Sequence, residues 1–596
     1  MPAEYHAIYY LNSANGIQYG GKLQPKKDLI DRMINRKAVQ KTILIASIGI
    51  LLLSACGPLS TTPTNLANTA TENTPENKPS QEASATATPT LTPMSEVVNV
   101  YVDPNLPAAF KNSLQLDAVG FLVAESENVT ARLTFGSEDP ISTWIYALVA
   151  PFPTVTDGIN ATELQDFWQD ASPTNYFDRL ILGQSSYKAI ESLWGKPAGT
   201  VEVHADAELL NLAWNTPGTW AIIPFEEIQP RWKVIALDEQ SPLHKDFIPE
   251  SYSLRVPISL VAVDGESTDA IAESLKTNVA RTNRDADKLA TVILTGVTAL
   301  VRGTAREMEK LGITRPAEVI GPTLRDADIL HISNEVPFAV NCGEPVPQNI
   351  DKLIFCSKDE YVELLKAVGT DVVELTGDHF EDWGPEAMLH TLELYEELGW
   401  LYYGGGRNLE EAKMPVKLEV NGTKIAFLGC NAKETTYSNA TEDKPGNPRC
   451  DWDYMSAEVE KLKGEGYLPI VTFQHNEYYV WEAQSQLRED FHRMEAAGAV
   501  IVSGSQAHQP HAIEITDNAV LHYGLGNLFF DQYGLTLDTD DAFIDRHVFY
   551  DGKYLGVELL TITFRDFSQP LWMDASARAA MLEKLFSVSK WNMPTE

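Results

Sequence analysis

Residues Thr370–Gly384 read TDVVELTGDHFEDWG. A short apolar run ends in the polar cluster Gly377-Asp378-His379, and a helical stretch, Pro385–Leu398, follows. The same order recurs outward in both directions. Upstream, Ala290–Leu294 leads into GVTALVR (296–302), and ADILHISNEVP (327–337) follows. Downstream come GWLYYGGGRNLEEA (399–412), KIAFLGCN (424–431), PIVTFQHNEYY (469–479), AAGAVIVSGSQAHQPHAIEI (496–515) and LHYGLGNLFFDQ (521–532). Strands that each end in polar residues, with helices between them, line up side chains along one edge of a sheet, as α/β enzymes do. This organisation occupies 286–565.

These phrases, in this order, resemble the CapA family of poly-γ-glutamate and capsule synthesis proteins. The resemblance spans most of 286–565 and implies a metallophosphatase-like four-layer α/β sandwich. Residue by residue, its implied site is incomplete. The first strand of the family ends Gly-Asp, with Asp as a metal ligand, and here that position is Val297, which cannot coordinate a cation. The acidic residue of the next phrase is kept as Glu335. Asn-Asn-His becomes Gly377-Asp378-His379, so Asp378 is a candidate ligand and His379 a candidate general acid. A strand-end histidine corresponds to His475 with a one-residue gap, and Gln474 competes for that place. In the His-Pro-His block the first histidine becomes Gln506 and the last is His508, while a shifted pairing recruits His511. Arg302, Asp382, Asn527 and Asp531 match the family pattern as supporting residues.

The resemblance therefore implies one divalent metal ion (Mn, Zn or Mg) held by Glu335, Asp378, His475 and His508, with His379 as proton donor. Two-metal phosphoester chemistry needs cations about 3.5 to 4 Å apart, and Val297 and Gln506 leave that set short. Ser503-Gly504-Ser505 is no nucleophile elbow, and Gly404–Arg407 lacks the lysine and spacing of a phosphate loop.

Residues 96–285 alternate short apolar runs, Ala118–Val123, Ile145–Val149, Trp220–Ile223 and Val234–Leu237, with helical stretches such as Ala161–Asp170. VYVDPNLPAAF, WIYALVAPFPTVTDG and GTWAIIPFEEIQPRWKVIALDEQSPL resemble periplasmic solute-binding domains of the phosphate- and molybdate-binding type. That resemblance implies a second α/β domain. Ser142 and Thr143, or Thr154–Gly158, offer an oxyanion site, against the plainer reading of turn and capping residues.

Ahead of both, Ile43–Ala55 is apolar, follows Arg36, Lys37 and Lys41, and ends at Cys56. It is too short to span a bilayer, and its order of charge, apolar run and small residues is that of a secretory signal. Leu53-Ser54-Ala55-Cys56 resembles a lipobox, which implies lipidation of Cys56. Residues 33–55 thus read as a signal, 1–32 as an over-called start or disordered extension, 56–95 as a Thr/Pro/Ser-rich tether, and 566–596 as a C-terminal extension.

The 596 residues carry 46 Lys plus Arg against 83 Asp plus Glu, a net charge of -37, which argues against nucleic acid as a partner. Five cysteines leave one odd, Cys56; Cys342, Cys356, Cys430 and Cys450 are expected as two local bridges, which persist outside the cytoplasm. Their spacing is wider than that of zinc ligand pairs. The expectation is a protein lipid-anchored on the outer face of a bacterial cell membrane. It would work with an anionic extracellular polymer or its synthesis machinery, by metal-assisted hydrolysis or transfer. The alternative is a non-catalytic polymer- or solute-binding lipoprotein with a degenerate site.

Overall fold

Long runs of β-branched and apolar residues between 289 and 565 build two sheets that face each other. In the computed structural model, which describes residues 98–114, 121–123, 129–198, 200–263, 269–346, 353–433, 437–532 and 537–591, one sheet has eight strands. Its order runs Leu401–Tyr403, Val372–Glu374, Ile329–Asn334, Leu289–Thr298, Asp541–Tyr550, Lys553–Arg565, Gln569–Trp572, with Asn527–Phe529 also paired to Leu289–Thr298. The other has six: Val416–Val420, Thr423–Asn431, Leu468–Gln474, Ile501–Ser503, Val520–His522 and Ile513–Ile515.

Strand alternation decides what lies between the layers. Val292 and Leu294 point inward and share a core with Ile425, Phe427, Ile470 and Val520 of the facing sheet. Ile293, between them, points outward and packs with Ala305, Leu324, Leu365 and Leu392 of the outer helices. On the far side Val471 and Phe473 pack with Val459, Leu462, Phe491 and Met494 from helices Trp452–Gly464 and Ser485–Ala497. Helices, sheet, sheet, helices make the four-layer α/β sandwich.

Residues 98–262 form a separate ten-stranded mixed sheet around a core that includes Trp144, Tyr146, Leu148 and Ile222. Leu289, Val548 and Leu555 complete that core from the eight-stranded sheet, and Lys553 Nζ donates to the carbonyls of Glu226 and Ile228 at 2.9 and 2.8 Å. Residues 93–596 accordingly form one compact unit. The stretch after 565 is part of that body: Gln569–Trp572 extends the eight-stranded sheet, and helix Ala575–Val588 packs Met581, Leu582 and Leu585 onto the core between the sheets.

In the ten-stranded sheet the expected runs appear as Phe121–Val123, Pro140–Pro151, Thr219–Pro224 and Trp232–Leu237, with helix Ala161–Asp170 packed on it. Ser142 and Thr143 lie inside a strand, and Ser142 Oγ donates to the carbonyl of Ala280 at 2.8 Å. Thr154 Oγ1 donates to the carbonyl of Pro151 at 2.7 Å, a turn contact. Both bridges form, Cys342–Cys356 and Cys430–Cys450. The expected signal, Cys56 and tether lie outside the described residues.

Phe427 is fully buried between the sheets, beside Tyr403 and stacked on His331 with ring centroids 5.9 Å apart. Phe427→Ala is expected to cost about 3 to 5 kcal/mol, read as a lower urea midpoint of the purified full chain.

Candidate metal centre

The parallel strands of both sheets end on one side of the sandwich, and residues just past those ends come together there. Glu335 follows strand Ile329–Asn334 and is 1% exposed. Its backbone N–H donates to the carbonyl of Thr298, which fixes it against the neighbouring strand end at 2.9 Å. The loop after Val372–Glu374 then runs across it. A Cβ on Gly377 would stand 2.9 Å from Glu335 Cγ and 3.0 Å from its Cα, so only glycine lets Asp378 and His379 approach. Glu335, Asp378 and His379 each offer a ligand atom within 4.8 Å of the others.

His508 closes the cleft from the other sheet, with Nε2 3.8 Å from Glu335 Oε1. Its orientation follows from its neighbour. Asn527 Nδ2 donates to the carbonyls of His508 and Thr539 at 3.1 and 3.4 Å, so Asn527 Oδ1 accepts from His508 Nδ1–H at 3.0 Å. Nε2 is thereby the nitrogen turned toward the Glu335 carboxylate, and it would be the one to bind a metal. Asn527 is held in turn by a tight crossing behind it, where Gly296 lies so close to the carbonyl of Gly526 that a Cβ would stand 1.9 Å from it.

His379 is held differently. Its Nδ1 donates to Asp382 Oδ2 at 2.8 Å, and that carboxylate also accepts from the Phe355 N–H at 2.7 Å and from the Tyr437 hydroxyl. Burial disfavours a charged ring, but the Asp382 hydrogen bond and the nearby Glu335 and Asp378 outweigh it and raise the His379 pKa to about 9. Burial likewise raises Glu335, with His508 and His379 opposing.

Other expected residues lie apart from this group. His475 is a correction: its Nε2 pairs with Asp490 at 3.0 Å, and its Nδ1 accepts from the Asn476 N–H at 2.9 Å. Alternation at the strand end turns Gln474 inward, fully buried, and sends His475 to helix Ser485–Ala497. His511 donates from Nδ1 to the carbonyl of Val480 at 2.6 Å, and burial lowers its pKa to about 4. Arg302, at φ 47°, clamps Asp531 through Nε at 3.0 Å and lies over the Phe530 ring at 4.6 Å. Val297 belongs to an apolar cluster with Val336, Phe355 and Phe530. Gln506 Nε2 donates to Ser333 Oγ at 2.7 Å.

Two residues that sequence reading passed over belong here. Lys433 Nζ lies 2.7 Å from both Asp378 Oδ2 and Glu477 Oε1. Both lie a few residues past strand ends, in phrases where only the histidines and strand-terminal positions drew notice. Burial works against each charge. His508 and Lys433 nevertheless hold Glu477 down at about 2, while Asp378 and Glu477 hold Lys433 above its ordinary value.

The residues present fit one divalent cation. Glu335 Oε1 and Asp378 Oδ1 are buried without a hydrogen-bond partner, and His508 Nε2 lies 3.8 Å from Glu335 Oε1. They do not fit two: Val297 is apolar, Gln506 is tied to Ser333, and His475 is tied to Asp490.

Residues 291–532 match the sequence model of a family described as bacterial capsule synthesis protein PGA_cap. The chain is 27% identical over 271 residues to the capsule biosynthesis protein CapA of Bacillus anthracis, covering 45% of this chain and 65% of that protein. It is 26% identical over 248 residues to the PGA biosynthesis protein CapA of Bacillus subtilis (strain 168), covering 41% and 64%. The match thus spans slightly less than two thirds of either relative. Among solved structures, an ABC-type phosphate transport receptor from Vibrio cholerae is 11% identical with a TM-score of 0.25, covering 30% of this chain and 93% of that one.

A raised histidine pKa carries a stability term of definite sign. His379 binds its proton more tightly folded than unfolded, so its contribution is complete below about pH 6.5 and lost as pH rises through about 9. In metal-free buffer, His379→Gln should be destabilised relative to wild type at pH 6, and the gap should narrow by pH 10 in parallel urea titrations. A gap independent of pH would contradict the His379–Asp382 assignment.

Proposed function

We propose, from the premise that residues 291–532 are a domain of the bacterial capsule synthesis protein family, that the chain acts outside the cytoplasmic membrane in making, handling or anchoring a capsule-type polymer. Its cleft would work as a one-metal hydrolase or transferase acting on a phosphoester or amide. The observation that carries this reading is that Glu335, Asp378 and His379 offer ligand atoms within 4.8 Å of one another, with an unpartnered buried oxygen on each carboxylate and His508 Nε2 3.8 Å from Glu335.

Glu335, Asp378 and His508 would hold the ion and leave positions open for substrate and water. A bound divalent cation would polarise the scissile group and acidify a water ligand. The protein's own part is positional. Asn527 fixes the His508 ring with Nε2 toward Glu335, and Asp382 keeps the His379 ring protonated at neutral pH, so that Nε2–H stands ready to protonate a leaving group. Phe355 packs against the His379 ring with centroids 5.0 Å apart and limits its rotation.

The net charge of -37 bears on the polymer. A body this acidic repels a polyanion at long range, so engagement of a polyglutamate or acidic polysaccharide would rely on cations. The signal-like stretch ending at Cys56 supports a lipid tether to the membrane. The rival reading, a polymer- or solute-binding lipoprotein without catalysis, is favoured by Val297 and by the hydrogen bond that ties Gln506 to Ser333.

Elemental analysis of the purified full chain after Mn2+ or Zn2+ loading should find bound metal, abolished by Glu335→Gln with His508→Ala. The wild type should hydrolyse a chromogenic phosphodiester or γ-glutamyl amide in added Mn2+, and His379→Gln should lose about 100-fold or more in rate. Metal without turnover would favour the binding reading; neither metal nor turnover would sink both the site and the reaction.

A further inference from the structure

Strands Thr423–Asn431 and Leu468–Gln474 are parallel neighbours, with Asn431 in register with Gln474. The chain just past each end therefore arrives at the same side of the cleft. The Lys433 N–H donates to Asn431 Oδ1 at 2.9 Å, and the Asn431 amide donates to the carbonyl of Thr376 at 2.9 Å, which ties this turn to the Asp378 loop. Lys433 Nζ then reaches Asp378 Oδ2 and Glu477 Oε1, each at 2.7 Å. Glu477 Oε2 accepts from the Tyr479 hydroxyl at 3.0 Å.

One positive centre between two carboxylates from different loops is a bridging arrangement. Here an ammonium makes it, 16% exposed and hydrogen-bonded on both sides. With two of its three N–H groups used, one remains. Charge balance leads to the same point. Glu335, Asp378 and Glu477 supply three negative charges; Lys433 and one divalent ion neutralise them, while His379 and Asp382 neutralise each other. A second divalent ion would leave two positive charges uncompensated in a partly buried site.

We propose that Lys433 is a tethered cation that takes the place of a second metal ion, limiting the cleft to one divalent ion and offering its remaining N–H to an anionic oxygen of the substrate. The count of one rests on the one-metal reading above; the role of Lys433 does not. An amine held as ammonium by two carboxylates is neither a nucleophile nor a base, which leaves charge and hydrogen bonding as its functions.

The test is metal stoichiometry of the full chain in detergent, by Mn2+ titration calorimetry and by electron paramagnetic resonance of bound Mn2+. Wild type and Lys433→Arg should take one ion per chain. Lys433→Met, which leaves Asp378 and Glu477 facing each other without a cation, should take one more, and Lys433→Met with Glu477→Gln should return to the wild-type count. Two ions in the wild type, or a Lys433→Met count equal to wild type, would overturn the proposal. If the wild type takes none, the one-metal reading fails alone when Lys433→Met gains an ion, and both fail when it does not. Should metal-free Lys433→Met prove too unstable to fold, Mn2+ during refolding should restore it, and failure of both Mn2+ and the Glu477→Gln combination to do so also overturns the proposal.

Discussion

A carboxylate removed from water needs positive or hydrogen-bonding partners, and Glu335 is such a carboxylate. It is 1% exposed, and one of its oxygens has no hydrogen-bond partner. An unpaired buried charge is among the costlier features a fold can carry, so the surroundings must answer it. Much of the geometry at this edge of the sandwich reads as that answer. Gly377 lets the next loop lie against Glu335, His508 comes from the opposite sheet with Nε2 turned inward, and His379 is kept cationic by Asp382. Lys433 then compensates Asp378 and Glu477.

Deeper between the sheets, similar residue types do something else. Glu374 is fully buried and accepts from Ser505 Oγ and, at 2.7 Å, from Thr376 Oγ1. His331 bonds the Tyr403 hydroxyl at 2.9 Å, which bonds Thr472 at 2.7 Å. Burial raises the Glu374 pKa against its hydrogen bonds and lowers that of His331 to about 3. This layer joins the two sheets by hydrogen bonds. The contrast separates structure from site: both Glu374 oxygens accept from hydroxyl groups, whereas Glu335 and Asp378 each keep a buried oxygen without a hydrogen-bond partner.

The layers and strand ends were legible in the sequence because each strand carries its own apolar period and stops at a polar cluster. Glu335, Asp378 and His508 were placed in one site only by their match to the CapA family pattern, and the loss of a ligand at Val297 shows only against that same pattern. His475 was misplaced because Gln474 and His475 are adjacent, and a one-residue difference in strand register exchanges the inward and outward side chains. Lys433 and Glu477 escaped notice because their meeting depends on two parallel strands lying side by side in space, which no local pattern encodes. The continuity of residues 566–588 with the sandwich was missed too, since an edge strand and one helix carry little pattern of their own.

The central claim is that this cleft holds a single divalent ion beside a lysine. Anomalous diffraction at the manganese edge from crystals of the chain grown with Mn2+ tests it most directly. One peak among Glu335, Asp378 and His508, with the Lys433 ammonium still between Asp378 and Glu477, is the predicted result. Two peaks in the cleft, or a lone peak that displaces Lys433 from those carboxylates, would contradict it.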